Sequence, residues 1–201
     1  MHRNPNKLHN FLHFAAFTAD SIHLKKPSGG PKGELCLAPN SHLPGFLYQA
    51  WGKYDQALKQ YEKSMEIKEK NGDIKGISDS LGQIGMIYQK KSKYGKALEH
   101  YEESMEIKEK IGDLPGNAIG LGQIGDLYLE TKDYRKALKY SIMSFLLLSK
   151  LGSTNANIVK KNILKVKQTI PVEQFNEILK VFKLPPDIFD EGEKEQGKNN
   201  R

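Results

Sequence analysis

The decapeptide SMEIKEKNGD at residues 64–73 returns forty residues later as SMEIKEKIGD at residues 104–113. The two copies differ at one position, where Asn71 in the first corresponds to Ile111 in the second. A looser third copy of the segment that leads into them, DYRKALKYSIMSF, begins at Asp133. A fixed period of roughly 20–50 residues is typical of solenoids and propellers. The duplication therefore predicts an array of stacked units.

The spacing of apolar residues decides which kind of array this is. One unit carries them at i, i+3, i+4, i+7 and i+11, which is the stripe of an α-helix. The stripe consists of Tyr94, Ala97, Leu98, Tyr101 and Met105. The block before it, LGQIGMIYQ from Leu81, also has helical spacing, and neither block alternates as a strand does. We therefore predict two antiparallel helices per unit, which bury their stripes only when the units stack.

Glycine and aspartate mark the ends of the predicted helices. Gly72, Gly112 and Gly152 follow the second helix of each unit, where a left-handed residue commonly ends a helix. Asp73 and Asp113 come next, and each is predicted to cap the first helix of the following unit. These signals place a tight turn between units.

Further signals concern the second helices and the packing within a unit. Ser92 and Asp133 are the predicted N-caps of second helices. Gly85 and Gly125 lie inside first helices, where glycine costs about 1 kcal/mol relative to alanine. We therefore expect the backbone there to approach the partner helix closely, in the first case near Ala97.

The order of these residues resembles the tetratricopeptide repeat. That family has a bulky residue, a Leu-Gly pair and a tyrosine in the first helix, then an alanine and an aromatic residue in the second. The middle unit has, in those places, Leu81, Ile84, Gly85, Tyr88, Ala97, Tyr101 and Ser104. The forty-residue spacing with a Gly-Asp turn is similar to the repeats of kinesin light chains and Pins-type polarity scaffolds. The resemblance implies an all-α fold, a short α-solenoid of antiparallel helix pairs with a terminal capping helix.

The phase of the repeat divides the chain into four segments. We expect a poorly ordered leader, an array of three units, a pair of capping helices and a disordered tail. Their ranges are 1–44, 45–151 (units 45–71, 78–111 and 118–151), 152–185 and 186–201. Pro39 and Pro44 interrupt the start of the first unit, so we expect its first helix to lack the front half. The sequence thus also fits a fragment of a longer array.

Charge and composition narrow the classes of function. The net charge is +7, but most lysines of the array alternate with glutamates, as on a solvated helix face. A one-sided basic stripe is only weakly suggested around Lys160 and Lys165, so we expect no nucleic-acid partner. No apolar run approaches the ~18 residues of a membrane span, and no membrane contact is expected. The single Cys36 excludes an intrachain disulfide and fits a cytoplasmic protein.

No motif indicates catalysis or a bound cofactor. GLGQIG at residues 120–125 fits the dinucleotide-binding pattern, but that pattern follows a strand, whereas this copy lies inside a predicted helix. Three histidines and one cysteine come closest to a metal-binding pattern, but they lack the paired cysteines that are typical of a zinc site. They are His9, His13, His23 and Cys36. We therefore expect a protein without enzymatic activity, cofactor or metal.

The remaining candidate for function is a surface. On each first helix, the face opposite the core stripe corresponds to the concave groove that binds peptides in tetratricopeptide repeats. The candidate groove residues are Asp79, Met86, Gln89, Lys90, Ile119, Asp126, Leu129 and Glu130. The matching residues of the terminal helix are Val159, Asn162 and Val166. Gly82 and Gly122, which lack side chains, are expected to deepen the groove.

Two functions fit this surface. Met86 and Asp126 share one phase in neighbouring units, so stacking should place them side by side on the groove wall. The expected function is non-catalytic binding of a peptide or protein partner in that groove. The alternative is a regulatory or self-assembly module, in which the incomplete first unit pairs with another copy or with another chain.

Overall fold

Residues 43–189 are described by the computed structural model, and within that range the chain forms eight α-helices and no strand. The helices are α1 (Leu43–Ala50), α2 (Tyr54–Asn71), α3 (Ile74–Lys90), α4 (Tyr94–Lys110), α5 (Leu114–Glu130), α6 (Tyr134–Lys150), α7 (Ala156–Lys167) and α8 (Val172–Val181). Consecutive helices pack against each other from α1 to α7, and the first helices α3, α5 and α7 contact one another in sequence. The predicted all-α solenoid is confirmed.

The turns between units follow the predicted pattern. Gly72, Gly112 and Gly152 have φ angles of 69°, 70° and 65°, in the left-handed region that favours glycine. Asp73 and Asp113 each accept a hydrogen bond from the backbone amide three residues later, at 2.8 and 3.0 Å. A left-handed residue followed by a capping carboxylate reverses the chain over two residues.

Only one of the two predicted caps of second helices is correct. Asp133 accepts a hydrogen bond from a backbone amide three residues later at 3.1 Å. The prediction for Ser92 is wrong, because the N-cap of α4 is Lys93 and no side chain caps that helix. Ser92 has a φ of 57°, and its backbone amide bonds to the carbonyl of Gln89 at 2.9 Å. It therefore closes the end of α3 rather than opening α4.

Close packing at the internal glycines is confirmed. A Cβ built on Gly85 would lie 2.8 Å from the ring of Tyr101 and 3.1 Å from the carbonyl oxygen of Ala97. A Cβ on Gly125 would lie 2.7 Å from the hydroxyl of Ser141. All three distances are shorter than an ordinary contact of a Cβ atom, so each first helix packs its bare backbone against the second helix of its unit.

The duplicated decapeptide joins helices across the boundary between units. Within its second copy, the Ser104 hydroxyl donates to the carbonyl of Ser78 on α3 at 2.7 Å. The stem of Lys108 lies against Gly116 of α5, where an added Cβ would be 3.0 Å from the lysine Cδ. The terminal aspartate of the same copy caps α5. One segment of ten residues therefore contacts the helices on both sides of it.

The lysine at the fifth position of the decapeptide is buried in both copies, although the alternation of lysine with glutamate predicts a solvated helix face. Lys68 and Lys108 are each 5% exposed. The Lys68 ammonium donates to the carbonyl of Gly76 and to the hydroxyl of Ser80, both at 3.1 Å. Burial lowers the pKa of Lys68, and these two acceptors at the start of α3 hold its charge. The Lys108 ammonium lies 3.6 Å from a carboxylate oxygen of Asp79.

The ends of the described segment differ from the expected boundaries. The leader expected over residues 1–44 lies outside the described residues except for Leu43 and Pro44, which form the first turn of α1. Phe189 is 2% exposed and packs its ring against Phe145 and Phe175, with centroids 5.2 and 6.4 Å apart. The packed C-terminal core therefore extends beyond the boundary expected at residue 185, because an aromatic anchor follows α8.

The substitution Ala97→Leu tests the assignment of helix faces. Ala97 is fully buried and its carbonyl lies against Gly85, so added methylenes have no space. We expect the free energy of unfolding, measured by urea denaturation, to fall by about 1–3 kcal/mol. Glu103→Leu, on the exposed face of α4, should change it by less than about 0.5 kcal/mol. Equal loss in both variants would show that the faces are assigned wrongly.

Candidate functional site

One open cavity of about 340 Å³ lies among the first helices of successive units. Its lining comes from α3, α5 and α7, with one side chain from α4. The lining residues are Met86, Gln89, Lys90, Tyr101, Gln123, Asp126, Leu129, Glu130, Asn162 and Lys165. We refer to this site as the α3–α5–α7 cavity. It exists because the forty-residue period repeats the same outward face on α3 and α5, and α7 lies beside them.

The structure brings six of the eight candidate groove residues to this cavity. They are Met86, Gln89, Lys90, Asp126, Leu129 and Glu130. Asp79 does not line it, and its carboxylate instead lies 3.6 Å from the ammonium of Lys108. Ile119 does not line it either and is 45% exposed, although it directly follows the buried Ala118. The two exceptions lie near the start of their helices, whereas the cavity lies near the ends of α3 and α5.

The expectations for α7 are correct only in part. Asn162 lines the cavity, but Val159 and Val166 are 8% and 1% exposed and belong to the C-terminal core. At this boundary the register departs from the forty-residue period, because Asn162 bonds to Asp126, 36 residues earlier, whereas the period pairs Asp126 with Val166. The positions expected in the groove therefore face the core.

The two glycines expected to deepen the groove do not line the cavity. A Cβ on Gly82 would lie 3.6 Å from the hydroxyl of Ser104. A Cβ on Gly122 would lie 3.1 Å from the hydroxyl of Ser144. Both glycines therefore lie at contacts between a first and a second helix, and their lack of side chains serves packing.

Three lining residues were not among the sequence candidates. Tyr101 belongs to the core stripe of α4, and its long side chain carries the hydroxyl from the core to the cavity. Gln123 stands in the LGQIG block, and the repetition of that glutamine was a usable signal. Lys165 is exposed on α7, and the shifted register of that helix concealed its position.

Two side-chain hydrogen bonds organise the cavity. The Tyr101 hydroxyl donates to Oε1 of Gln89 at 2.8 Å, and Gln89 is only 7% exposed. Burial, followed by the charges of Asp126 and Glu130, raises the pKa of Tyr101, so its hydroxyl keeps its proton and remains a donor. On the other side, Nδ2 of Asn162 donates to Oδ1 of Asp126. The first bond joins α4 to α3 and the second joins α7 to α5.

Asp126 is the unusual charge of the site. Burial, and secondarily the nearby charge of Glu130, raises the pKa of Asp126 to about 6. Lys90 and Lys165 oppose that rise from α3 and α7. Neither lysine makes an ion pair with it, since within residues 43–189 no cationic nitrogen lies within 4.0 Å of Asp126. The carboxylate is therefore held in a poorly solvated place by a neutral amide donor alone.

Three further features considered in the sequence are a dinucleotide-binding pattern, a metal site and a membrane span. The GLGQIG segment at 120–125 lies inside α5. Between Leu43 and Phe189, no group of three or more His, Cys, Asp or Glu is arranged to hold a metal ion. The histidines and the cysteine considered as metal ligands lie outside that range. Over the same range, no helix has both the length and the apolar character needed to cross a membrane.

Comparison with family models decides the family. Models described as tetratricopeptide repeat match residues 76–141 and residues 45–71. The chain is a tetratricopeptide repeat protein. The first match covers α3, α4 and α5 with part of α6, and so contains most of the lining of the α3–α5–α7 cavity. Tetratricopeptide repeats commonly mediate protein–protein interaction, and the family is generally non-catalytic.

Solved structures share the fold of this tetratricopeptide repeat protein. The apo form of RapI has a TM-score of 0.61 and 16% sequence identity, over 75% of this chain and 54% of that one. BtubC (BKLC) from P. vanneervenii has a TM-score of 0.59 and 19% identity, over 71% of this chain and 60% of that one. The chain thus spans little more than half the length of these structures. A search of curated proteins finds no match.

Proposed function

We propose that this tetratricopeptide repeat protein is a non-catalytic interaction module that captures a peptide segment of a partner protein in the α3–α5–α7 cavity. The observation that carries the proposal is the convergence of side chains from three successive first helices on one open cavity. A volume of about 340 Å³ is small for a ligand pocket and suits one or two anchoring side chains of a longer segment.

The lining supplies each kind of contact that such a segment needs. Met86 and Leu129 offer apolar surface for an anchoring side chain. The amides of Gln123 and Asn162 can donate to or accept from a peptide backbone. The charged groups around them would fix the register of the partner through directed contacts.

The double variant Met86→Ala, Asp126→Ala tests the proposal. A partner is first captured with the full chain as bait, and its dissociation constant is then measured by calorimetry. We expect binding to weaken by about 1–3 kcal/mol, because both anchoring groups of the cavity are removed. Helicity, measured by circular dichroism, should be unchanged, since both side chains are partly exposed to the cavity, so the loss of affinity is measured on a folded chain.

The matched control changes the outer face of the array. Glu102→Ala with Glu106→Ala alters two exposed side chains of α4 and should leave the affinity unchanged. If the outer-face variant abolished binding and the cavity variant bound as tightly as the original chain, the cavity would not be the site.

The alternative, pairing through an incomplete first unit, has one observation in its favour. Ser104 and Ser144 each donate to a backbone carbonyl 26 residues earlier, on Ser78 and Ala118, at 2.7 Å. The equivalent Ser64 is 2% exposed, and its hydroxyl meets no acceptor among the described residues. The position 26 residues before it precedes the described range. A second chain that packs against this end of the array would supply that carbonyl.

Sedimentation equilibrium distinguishes pairing between copies from capture of a separate partner. Pairing predicts a mass that rises with concentration from 22.7 kDa towards twice that value. Trp51→Ala should reduce the association, because Trp51 is 59% exposed at this end of the array. A mass that stays at 22.7 kDa over the whole concentration range would exclude self-assembly.

A further inference from the structure

The α3–α5–α7 cavity holds two carboxylates on one side and no cation paired with the deeper of them. Asp126 and Glu130 are one turn apart on α5 and both line the cavity. Asp126 is partly buried and receives a hydrogen bond from Asn162, whereas Glu130 is exposed at the rim. A desolvated carboxylate is stabilised most by a directed cationic donor, which the described residues do not place within 4.0 Å of it.

The lysines of the cavity do not fill this role. Lys90 on α3 and Lys165 on α7 lower the pKa of Asp126, but burial and Glu130 raise it by more, and neither ammonium lies within 4.0 Å of the carboxylate. Their side chains sit on the two flanking helices, and the space between those helices is the open cavity. An incoming group can therefore approach the Asp126 carboxylate without displacing an existing ion pair.

Apolar surface beside the carboxylates fits the stem of a long side chain. Met86 and Leu129 line the cavity, and the ring of Tyr101 contributes further surface. Long basic side chains bury their methylene stems against such surface while the charged head meets an acceptor. A planar guanidinium can bond a carboxylate through two parallel N–H groups, which an ammonium cannot do.

We propose, building on the function proposed above, that the α3–α5–α7 cavity selects a partner segment bearing an arginine, whose guanidinium binds Asp126 and Glu130. The stem of that arginine lies against Met86 and Leu129. The net charge of the chain is +7, so long-range attraction favours acidic partners. Because the net charge opposes binding of a basic segment, a measured preference for arginine must come from the cavity itself.

The probe is a set of pools of end-blocked hexapeptides. Each pool has one amino acid fixed at a central position, for example arginine, and a mixture of amino acids at every other position. The full chain is applied at constant ionic strength, and retention on each peptide pool is measured. We expect the strongest retention on the arginine pool, with lysine weaker. Asp126→Asn should reduce retention on the arginine pool about tenfold or more, because it removes the charge that pairs with the guanidinium.

The matched control is Glu99→Gln, which removes one negative charge from an exposed position on α4 outside the cavity. It should leave retention within about twofold of the original chain. Strongest retention on the aspartate or glutamate pools, reduced by Lys90→Gln or Lys165→Gln, would overturn the arginine proposal and leave the cavity as the binding site. Equal retention on all pools would also overturn it, while the double variant described above decides the proposed function separately.

The pH provides a second readout on the arginine pool. The groups facing Asp126 are Glu130 on its own helix, Lys90 on α3, Lys165 on α7 and the Tyr101 hydroxyl on α4. The guanidinium keeps its charge throughout, so protonation of Asp126 should weaken retention about tenfold between pH 7.5 and pH 5.0. Asp126→Asn should abolish this dependence. An unchanged dependence in that variant would contradict the assignment.

Discussion

Replacing Tyr101 with alanine is expected to lower the free energy of unfolding by about 3–5 kcal/mol. Tyr101 is 1% exposed, its ring lies against the bare backbone of Gly85, and it packs in one cluster with Ile124 and Leu127. Removing the ring leaves a cavity between three helices that cannot close, because the helix backbones already touch at Gly85. Urea denaturation followed by circular dichroism measures the loss.

Two companion variants separate the ring from its hydroxyl. Tyr101→Phe keeps the ring but leaves the buried Oε1 of Gln89 without its donor, so we expect a smaller loss of about 1–2 kcal/mol. Tyr140→Ala makes the same truncation at a partly exposed tyrosine of α6 and should cost less than Tyr101→Ala. A loss at Tyr140 equal to or larger than that at Tyr101 would contradict the packing described for this core.

Replacing Asp126 with asparagine is expected to stabilise the protein at pH 7.5 by about 2–3 kcal/mol. The folded chain ionises Asp126 near pH 6, whereas the unfolded chain ionises it near its ordinary pKa of 3.8. Above pH 6 Asp126 is therefore ionised in both states, and its negative charge has a higher free energy in the folded state than in the unfolded state. Asparagine keeps an oxygen that can accept the hydrogen bond from Asn162 and removes the charge.

The sign of the pH dependence follows from that difference. Between pH 6 and pH 4 the folded state binds more protons at Asp126 than the unfolded state does, so this penalty shrinks as the pH falls. The stabilisation by Asp126→Asn should accordingly be full above pH 7 and disappear below about pH 4. Comparing the variant with the original chain at each pH cancels the opposite effects of Asp113 and Glu106, whose pKa values are lowered by a backbone hydrogen bond and by Lys110 respectively. A difference independent of pH would show that the Asp126 carboxylate is well solvated.

Together these results would connect stability with binding. If the partner segment carries the proposed arginine, the charge that Asp126→Asn removes is the charge that binds its guanidinium. The variant should then be more stable and bind less well, which is the usual trade-off at a binding site. A variant that gained stability and kept full affinity would leave the raised pKa of Asp126 as a feature of packing alone.

The amino-acid sequence alone was sufficient for the period, the helices and the turns. These features depend on interactions between residues close in the chain. The cap of α5 is a bond from Asp113 to an amide three residues later, and the left-handed turn needs only Gly112. Six residues of the cavity lining also follow from the sequence, because a period of forty residues carries the same helix face from α3 to α5.

Only the tertiary structure decided which polar groups are buried and where the cavity closes. Lys68 reads as a surface residue beside glutamates, yet contacts with Gly76 and Ser80 of the next helix bury it. Tyr101 reads as a core residue, yet its hydroxyl reaches Gln89 and the cavity. Asn162 of α7 bonds to Asp126, which lies 36 residues earlier rather than the forty of the period. Each outcome depends on the fit between helix surfaces, which is a property of side-chain volume and backbone approach across the fold rather than of local pattern.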